Sequence, residues 1–362
     1  MHMNSADSFS GDYALARGKF RIAATAAGAT LASVTHPERG RDGEALATDV
    51  AWIGPRDADK VLVTLSGTHG VEGFCGSGAQ VDWLNRGEAS RLPSGLGVLI
   101  IHAINPYGFS WLRRVTHENV DLNRNWVDFS APLPRNPGYD TLCDAAVPQT
   151  WTEDSQAASA RVLGGYLGEN GPAALQQALS GGQYRHPAGI FYGGSAPTWS
   201  RLTQTAIFAE YLGQAAKVGV IDYHTGLGPW GYGEQIITDH PGSAAFARAR
   251  TWYGAAVTSP SAGTSTSAPI TGDGLEAAPR LLPHAQVTGM AIEVGTLPLN
   301  DVLLALRADA WLHAHGDPDS PQGRAIKTRI RAAFLGDADD WKGMVAGQSL
   351  LATRQAIAGL TA

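Results

Sequence analysis

Four short apolar runs recur along the chain, each followed by polar or glycine-rich residues. They cover residues 61–65, 96–104, 218–223 and 290–294. Continuous apolar runs of this length are typical of strands that are buried on both faces of a sheet. Segments with the composition or spacing of helices lie between and after them, at 74–83, 154–167, 172–179, 198–212, 300–313 and 324–335. Strands that alternate with helices predict an α/β fold with a mixed, mostly parallel sheet flanked by helices.

Weaker patterns complete the expected architecture. We predict an edge strand at 27–35, a turn at 36–43 and a short strand at 49–53. Prolines and glycines interrupt residues 130–215, which we expect to form an insertion in a single domain that covers residues 1–362. The Ser/Thr/Ala-rich stretch 259–268 is interpreted as a surface loop rather than a domain linker.

Composition narrows the class of protein. Of the 362 residues, 44% are hydrophobic, which is enough for a large core and disfavours disorder. The net charge of −6 argues against nucleic acid as a partner. The two cysteines, Cys75 and Cys143, provide neither a disulfide framework nor a cysteine zinc site. Because no signal core and no membrane-length apolar run is found, we expect a soluble, cytoplasmic protein of unspecified oligomeric state.

The glycine-rich segment 66–73 joins the first of the four apolar runs to the following helix. It carries His69 and Glu72, and residues three apart in a helical turn share one face. Open α/β sheets bind ligands at the carboxyl ends of their strands, and a His/Glu pair suits zinc. A lone His-x-x-Glu pair is common by chance, so the alternative is a glycine-rich turn with two solvated side chains.

Two further polar residues lie on or just after apolar runs, where a pure core would carry no charge. His224 follows the run 218–223, and Glu293 lies within the run 290–294. His69, Glu72 and His224 together form a two-histidine, one-carboxylate set. Three protein ligands leave zinc a fourth position for water, which is typical of catalytic rather than structural sites. The alternative for His224 and Glu293 is a polar residue at the end of a strand.

Five short motifs occur in an order that resembles the zinc carboxypeptidase superfamily. Within it, the chain is most similar to an uncharacterised carboxypeptidase-like branch near the succinylglutamate desuccinylase and aspartoacylase enzymes, over roughly residues 45–315. Each motif alone is weak evidence, but five in family order are strong evidence. The motifs are His69-Gly70-Val71-Glu72, Asn105-Pro106, Asp121-Leu122-Asn123-Arg124, Asp222-Tyr223-His224 and Ile292-Glu293-Val294-Gly295.

The resemblance implies roles for the residues around the zinc ligands. Asp121 would accept the second N–H of His69, as partners of metal-bound histidines do. Glu293 would be the general base, moving a proton from water to the leaving nitrogen. Arg114 would stabilise the oxyanion, with the adjacent Arg113 as the alternative.

A clamp for a substrate carboxylate is implied at Asn123 and Arg124, because guanidinium groups bind carboxylates through two parallel hydrogen bonds. The tyrosine that carboxypeptidases close over the substrate has two candidates, Tyr232 and Tyr253.

These features predict a zinc-dependent enzyme that hydrolyses an amide bond adjacent to a free carboxylate. The substrate would be a small molecule or short peptide, either an N-acyl amino acid or a peptide cut at its C-terminal residue. Nucleic acid and membrane partners are not expected. The alternatives are a zinc esterase or deacylase, and a non-catalytic zinc- or ligand-binding protein. The presence of Glu293 favours an enzyme, because a binding protein needs no general base.

Overall fold

A seven-stranded mixed sheet forms the centre of residues 4–362, the part of the chain that the computed structural model describes. The strands are β1 (Thr30–Arg39), β2 (Ala45–Ile53), β3 (Lys60–Leu65), β4 (Leu96–His102), β5 (Lys217–Trp230), β6 (Gly233–Ile236) and β7 (Gln286–Gly295). Their order across the sheet is β1-β2-β4-β3-β5-β7-β6. β4, β3, β5 and β7 are mutually parallel, whereas β2 and β6 run antiparallel to their neighbours. The predicted mixed, mostly parallel sheet is confirmed.

Helices cover both faces of this sheet. They are α1 (Tyr13–Ala26), α2 (Gly73–Asn85), α3 (Pro106–Ser110), α4 (Pro137–Ala146), α5 (Glu153–Asn170), α6 (Pro172–Ser180), α7 (Trp199–Leu212), α8 (Ala244–Tyr253), α9 (Gly274–Leu281), α10 (Leu299–His315), α11 (Pro321–Phe334) and α12 (Asp339–Thr361). All six predicted helices occur, with ends that differ by at most three residues. Within residues 4–362, none of these helices has both the length and the apolar character to cross a membrane.

The central strands are apolar throughout because both of their faces are buried. In β3, Leu62 packs with the helices α1, α2, α8 and α12, whereas Val61 and Val63 pack on the opposite side with α7 and α9. Alternate side chains thus enter two different cores. A third core joins Val71, in the loop after β3, to helices α4, α6, α10 and α11. The loop after β3 is therefore held by packing as well as by the sheet.

Several predicted strand boundaries are wrong. β2 begins at Ala45 rather than residue 49, and β7 begins at Gln286 rather than residue 290. β1 continues to Arg39 instead of turning at residue 36. Pro37 is tolerated there because β1 lies at the edge of the sheet, where one side of the strand needs no backbone N–H for pairing. β5 runs on to Trp230, so His224 lies inside a strand rather than at its end. Gly226 and Gly228 have positive φ angles, and they permit the irregular course of this extension.

His102, the last residue of β4, is a fully buried polar side chain under α1. Its ring stacks on Phe20 with the ring centroids 4.5 Å apart, and its Nε2 lies 2.9 Å from Ser77 Oγ. Burial lowers the pKa of His102 from 6.5 to about 4. The folded protein therefore holds this imidazole neutral at pH values where an unfolded chain would protonate it.

We predict that His102 makes folding sensitive to mild acid. Because the unfolded chain binds the proton more readily, this stability is present above pH 6.5, is lost as the pH falls towards about 4, and amounts to about 3 kcal/mol. Urea unfolding followed by tryptophan fluorescence between pH 7 and 4 measures it. His102→Gln should flatten the pH dependence, since glutamine does not titrate. An unchanged pH dependence in this variant would contradict the assignment.

Candidate active site

The loop between β3 and α2 places His69 and Glu72 at the carboxyl edge of the sheet. After β3, a short 3-10 helix covers Gly70–Glu72 and leads directly into α2. The backbone N–H groups of Gly70 and Val71 donate to the carbonyls of Arg114 and Arg113. Gly70 is required for this close approach, because a Cβ atom at this position would lie 2.0 Å from the Gly108 carbonyl carbon.

His69, Glu72 and His224 converge on one point. The Nδ1 atoms of the two histidines lie 3.1 Å apart. Glu72 Oε1 is 3.0 Å from Nδ1 of His69, and Oε2 is 3.1 Å from Nδ1 of His224. All three side chains are buried, with 3%, 1% and 5% exposure. Two imidazole nitrogens and a carboxylate within 4.8 Å of one another form a donor set compatible with a divalent metal ion.

Each histidine has a carboxylate on its other ring nitrogen. His69 Nε2 lies 3.2 Å from Asp121 Oδ1, the contact that the family resemblance implies. His224 Nε2 lies 3.0 Å from Asp222 Oδ2, and Asp222 in turn accepts a hydrogen bond from Thr68 Oγ1. Such partners fix the ring orientation and make the metal-facing nitrogen more basic.

The role of Asp222 is absent from the sequence-based assignment, although the chain contains a signal for it. Asp222 and His224 are two residues apart in β5, and such residues point to the same face of a sheet. An aspartate at this spacing from a histidine ligand is a natural orienting partner.

Arg114, rather than Arg113, faces the cluster. Its Nη1 donates to Glu72 Oε1 at 2.8 Å and its Nε to Asp121 Oδ2 at 2.9 Å. Arg113 points away and pairs with Asp309 at 3.3 Å. Although burial acts to raise it, the charges of Arg114 and His69 hold the pKa of Asp121 well below its usual range. The cluster thus contains a permanent positive charge in addition to its titratable groups.

Glu293 lies opposite His224 in the register of β5 and β7. Residues that face each other across two strands point to the same side of the sheet. The Glu293 Oε1 atom accepts a hydrogen bond from the backbone N–H of Leu227 at 3.0 Å. Burial, together with the negative charge of Glu72, raises the pKa of Glu293 to about 8. A carboxylate whose pKa lies near neutrality is suited to accept and release a proton.

Asn123 and Arg124 follow Asp121 in a short 3-10 helix, Leu122–Arg124. Asn123 Oδ1 accepts a hydrogen bond from the Gly274 N–H. Arg124 is buried, and two of its N–H groups donate to the carbonyls of Asn123 and Ser180. Within residues 4–362, its buried Nε has no hydrogen-bond partner. Arg124 thus keeps a buried donor that the described residues leave unpaired.

Phe191 connects the two arginines of the site. The guanidinium groups of Arg114 and Arg124 lie 5.2 and 5.3 Å from the centre of its ring. Tyr184 also holds this region, because its hydroxyl donates to the Arg124 carbonyl at 2.6 Å. Phe191 and Tyr184 belong to the stretch 130–215, where no family motif marked a functional residue.

The two candidate tyrosines, Tyr232 and Tyr253, differ in their exposure to solvent. Tyr253 is a buried core residue of α8 that packs with α12 and the sheet, which removes it as a residue that closes over a substrate. Tyr232 lies in the turn between β5 and β6 and is half exposed. Its role remains a prediction.

Comparison with known proteins places the chain in a family. Residues 9–348 match a family model described as "Protein of unknown function (DUF2817)". The chain belongs to this family. A search of curated proteins finds no significant match to this DUF2817 member.

Several solved structures are similar to this DUF2817 chain. Carboxypeptidase A from Helicoverpa armigera has a TM-score of 0.46 and 12% identity, over 89% of this chain and 73% of that one. Succinylglutamate desuccinylase from Chromobacterium violaceum has a TM-score of 0.38 and 11% identity, over 88% of this chain and 73% of that one. An aspartoacylase family protein from Mesorhizobium loti has a TM-score of 0.38 and 14% identity, over 78% of this chain and 67% of that one. These structures come from the same groups that the sequence motifs resemble, and identities this low indicate nothing about activity.

We predict that the protein binds one divalent metal ion per chain through His69, Glu72 and His224. Protein purified without chelator should contain one equivalent by elemental analysis, and added metal should raise its melting temperature. His69→Ala/His224→Ala should abolish both effects. His186→Ala is the control, because His186 pairs with Asp140 elsewhere. A full equivalent of metal in the double variant would refute the ligand assignment.

Proposed function

We propose that this protein is a zinc-dependent hydrolase that cleaves an amide bond adjacent to a free carboxylate. The substrate would be an N-acyl amino acid or a short peptide that loses its C-terminal residue. The observation that carries the proposal is the position of Glu293 directly opposite His224, one of the three residues that could hold a metal ion.

Zinc is the metal that we propose for the cluster. Its preferred ligands are imidazole nitrogen, thiolate and carboxylate oxygen, and catalytic zinc sites use three protein ligands. When bound, the ion supplies a Lewis acid and lowers the pKa of water to about 7. Asp121 and Asp222 support this assignment because they hold the two imidazoles with Nδ1 directed at Glu72.

Glu293 is proposed to move the proton. Its Oε1 is anchored by the Leu227 N–H, so Oε2 is available to take a proton from water and pass it to the leaving nitrogen. Arg114 is proposed to stabilise the negative charge that develops on the carbonyl oxygen. Its guanidinium already lies beside Glu72 and Asp121, so it needs no reorganisation during the reaction.

Asn123 and Arg124 are proposed to bind the substrate carboxylate. The Arg124 Nε is buried without a partner in residues 4–362, and a carboxylate oxygen would satisfy it. The stacking of Arg124 on Phe191 keeps the guanidinium plane in place. Phe191 also contacts Arg114, so a carboxylate at Arg124 would lie near the proposed oxyanion group.

One observation favours a second candidate, a zinc esterase or deacylase with no requirement for a free carboxylate. Two N–H groups of Arg124 already donate to the carbonyls of Asn123 and Ser180, so the planar fork is partly occupied. An enzyme of this kind would use the same metal cluster and the same Glu293 but would not discriminate free acids from neutral analogues.

We predict that Glu293→Gln keeps the metal but loses most activity. The amide is nearly isosteric and cannot accept the proton, so kcat should fall by about 10²–10⁴-fold. Glu234→Gln is a matched control, because Glu234 lies opposite Glu293 on β6 but is bound to Thr258 and Thr266. The control should lose less than about ten-fold. A Glu293→Gln enzyme with more than about a tenth of wild-type kcat would exclude Glu293 as the general base.

We predict that Arg124→Ala lowers kcat/KM for free-acid substrates by roughly 30-fold or more, since losing one partner of a buried charge pair costs about 2–5 kcal/mol. Converting the substrate carboxylate to an amide should harm the wild type by a similar factor and harm the variant little, because both changes remove the same interaction. Arg124→Lys should rescue only in part, as ammonium lacks the planar fork. Equal turnover of acid and amide by the wild type would favour the esterase or deacylase.

A further inference from the structure

Phe191 has a backbone conformation that is uncommon for a residue with a large side chain. Its φ angle is 53°, in the left-handed region where the Cβ atom of an L-residue is crowded. The other non-glycine residues with positive φ in residues 4–362 are Ala103, Leu112 and Asn119, none of which is aromatic. Such conformations persist where surrounding contacts hold them, and they cluster at functional sites. The backbone conformation of Phe191 therefore favours a functional role for its side chain.

Hydrogen bonds just after Phe191 tie it to the segment that carries the proposed carboxylate clamp. The carbonyl of Tyr192 accepts a hydrogen bond from the Asp121 N–H at 2.8 Å. The carbonyl of Gly193 accepts one from the Asn125 side chain, also at 2.8 Å. The two residues of the proposed clamp lie between these anchor points in the chain. The ring of Phe191 therefore has a fixed position relative to the clamp.

The ring of Phe191 contacts both arginines of the site. The guanidinium groups of Arg114 and Arg124 lie 5.2 and 5.3 Å from the ring centre. The electron-rich face of an aromatic ring attracts cations, and it does so more strongly where water is excluded. Phe191 is 8% exposed and belongs to the same core as Val71, in the loop after β3. One buried ring thus contacts two cations at once.

Arg114 and Arg124 carry like charges and share one carboxylate neighbour. Arg114 Nε lies 2.9 Å from Asp121 Oδ2, and Arg124 Nη1 lies 4.0 Å from Asp121 Oδ1. Asp121 draws the two guanidinium groups together, and the ring of Phe191 packs against both of them. The carboxylate and the ring together therefore set how far apart the two cations lie.

The distance between the two guanidinium groups matters for the proposed reaction. Arg114 would contact the oxygen of the scissile amide, and Arg124 would contact the substrate carboxylate. In an N-acyl amino acid, covalent bonds hold the distance between these two groups within narrow limits. A misplacement of about 1 Å in such an arrangement can cost about 10²-fold in rate. The substrate therefore requires a matching, fixed distance between the two arginines.

We propose that Phe191 is a positioning residue that sets the distance between Arg114 and Arg124. This inference rests on the proposed function and deepens it, because the distance would select substrates by where their carboxylate lies. A carboxylate on the carbon next to the scissile amide nitrogen would reach Arg124 while the amide oxygen reaches Arg114. A carboxylate one carbon further away would not fit both arginines.

Acetyl-alanine and acetyl-β-alanine differ in this distance by one carbon. The wild type should hydrolyse acetyl-alanine with a kcat/KM at least about ten-fold higher. Phe191→Leu removes the ring, whereas the left-handed backbone is similarly unfavourable for leucine. It should lower kcat/KM for acetyl-alanine by roughly 10- to 100-fold and bring the ratio of the two substrates below about three-fold. Phe191→Tyr keeps the ring and should restore most of the ratio. No preference in the wild type, or an unchanged ratio in Phe191→Leu, would overturn the proposal.

Phe129→Leu is a matched control, because the Phe129 ring lies 5.5 Å from the guanidinium of Arg201, outside the site. It removes the same kind of contact and should leave the substrate ratio unchanged. Thermal unfolding of both variants measures their stability, and a less stable Phe191→Leu with an unchanged ratio would make Phe191 only a core residue. In an Arg124→Ala background, Phe191→Leu should change the ratio by less than about two-fold, because one of the two spaced groups is gone. Equal losses of the ratio in the Phe191 and Phe129 variants would contradict a local role.

Binding measurements separate this inference from the proposed function. Zinc-loaded Glu293→Gln protein, with and without Phe191→Leu, is titrated calorimetrically with both compounds. Zinc-dependent hydrolysis with a substrate ratio that does not respond to Phe191→Leu would reject the positioning role alone. Tighter binding of acetyl-alanine that depends on the Phe191 ring, without hydrolysis of either compound by the wild type, would reject the proposed function and support the positioning role. Absence of both hydrolysis and such binding would reject both.

Discussion

The buried charge of Glu72 is the constraint on which the rest of the site depends. This side chain is 1% exposed, and its carboxylate contacts His69, His224 and Arg114. It also accepts a hydrogen bond from the Thr225 N–H. These partners come from the loop after β3, from β5 and from the segment after α3, so one carboxylate ties three separate parts of the chain together. Removing a single partner of a buried charge typically costs about 3–5 kcal/mol, because the remaining charge is left uncompensated. The order of β3 next to β5 in the sheet is what brings these partners within reach.

The same neighbouring groups give two nearby carboxylates, Glu72 and Glu293, very different pKa values. Burial acts to raise the pKa of both Glu72 and Glu293. Glu72 has His69, His224 and Arg114 around it, and its pKa is therefore held well below the usual range. Glu293 has a backbone N–H and a neighbouring negative charge, and its pKa rises to about 8. Two carboxylates with pKa values pushed apart in this way support the proposed division, in which Glu72 binds positive charge and Glu293 transfers a proton.

The parts of this arrangement that follow from local pattern could be predicted from the sequence. Apolar runs mark β3, β4, β5 and β7 because both faces of these strands are buried, and the spacing of His69 and Glu72 places them on one turn. β6 could not be predicted, because its four residues are polar or glycine-rich apart from Ile236 and are held by pairing with β7. The choice between Arg113 and Arg114 also depends on tertiary structure. Leu112 has a φ of 51°, an uncommon conformation for a residue with a side chain, and the two arginines that follow it turn to different partners.

The contacts of the segment 112–114 explain how the different partners of Arg113 and Arg114 hold Arg114 in place. Arg113 pairs with Asp309, and Lys327 binds both Asp309 Oδ1, at 2.6 Å, and the carbonyl of Leu112. These buried contacts anchor the segment from α10 and α11, whereas Arg114 reaches towards Glu72. Arg114 can then extend to Glu72 and Asp121 from a fixed backbone, which a flexible loop would not provide. The position of the proposed oxyanion group is therefore set by a buried ion network that lies on the other side of its own segment.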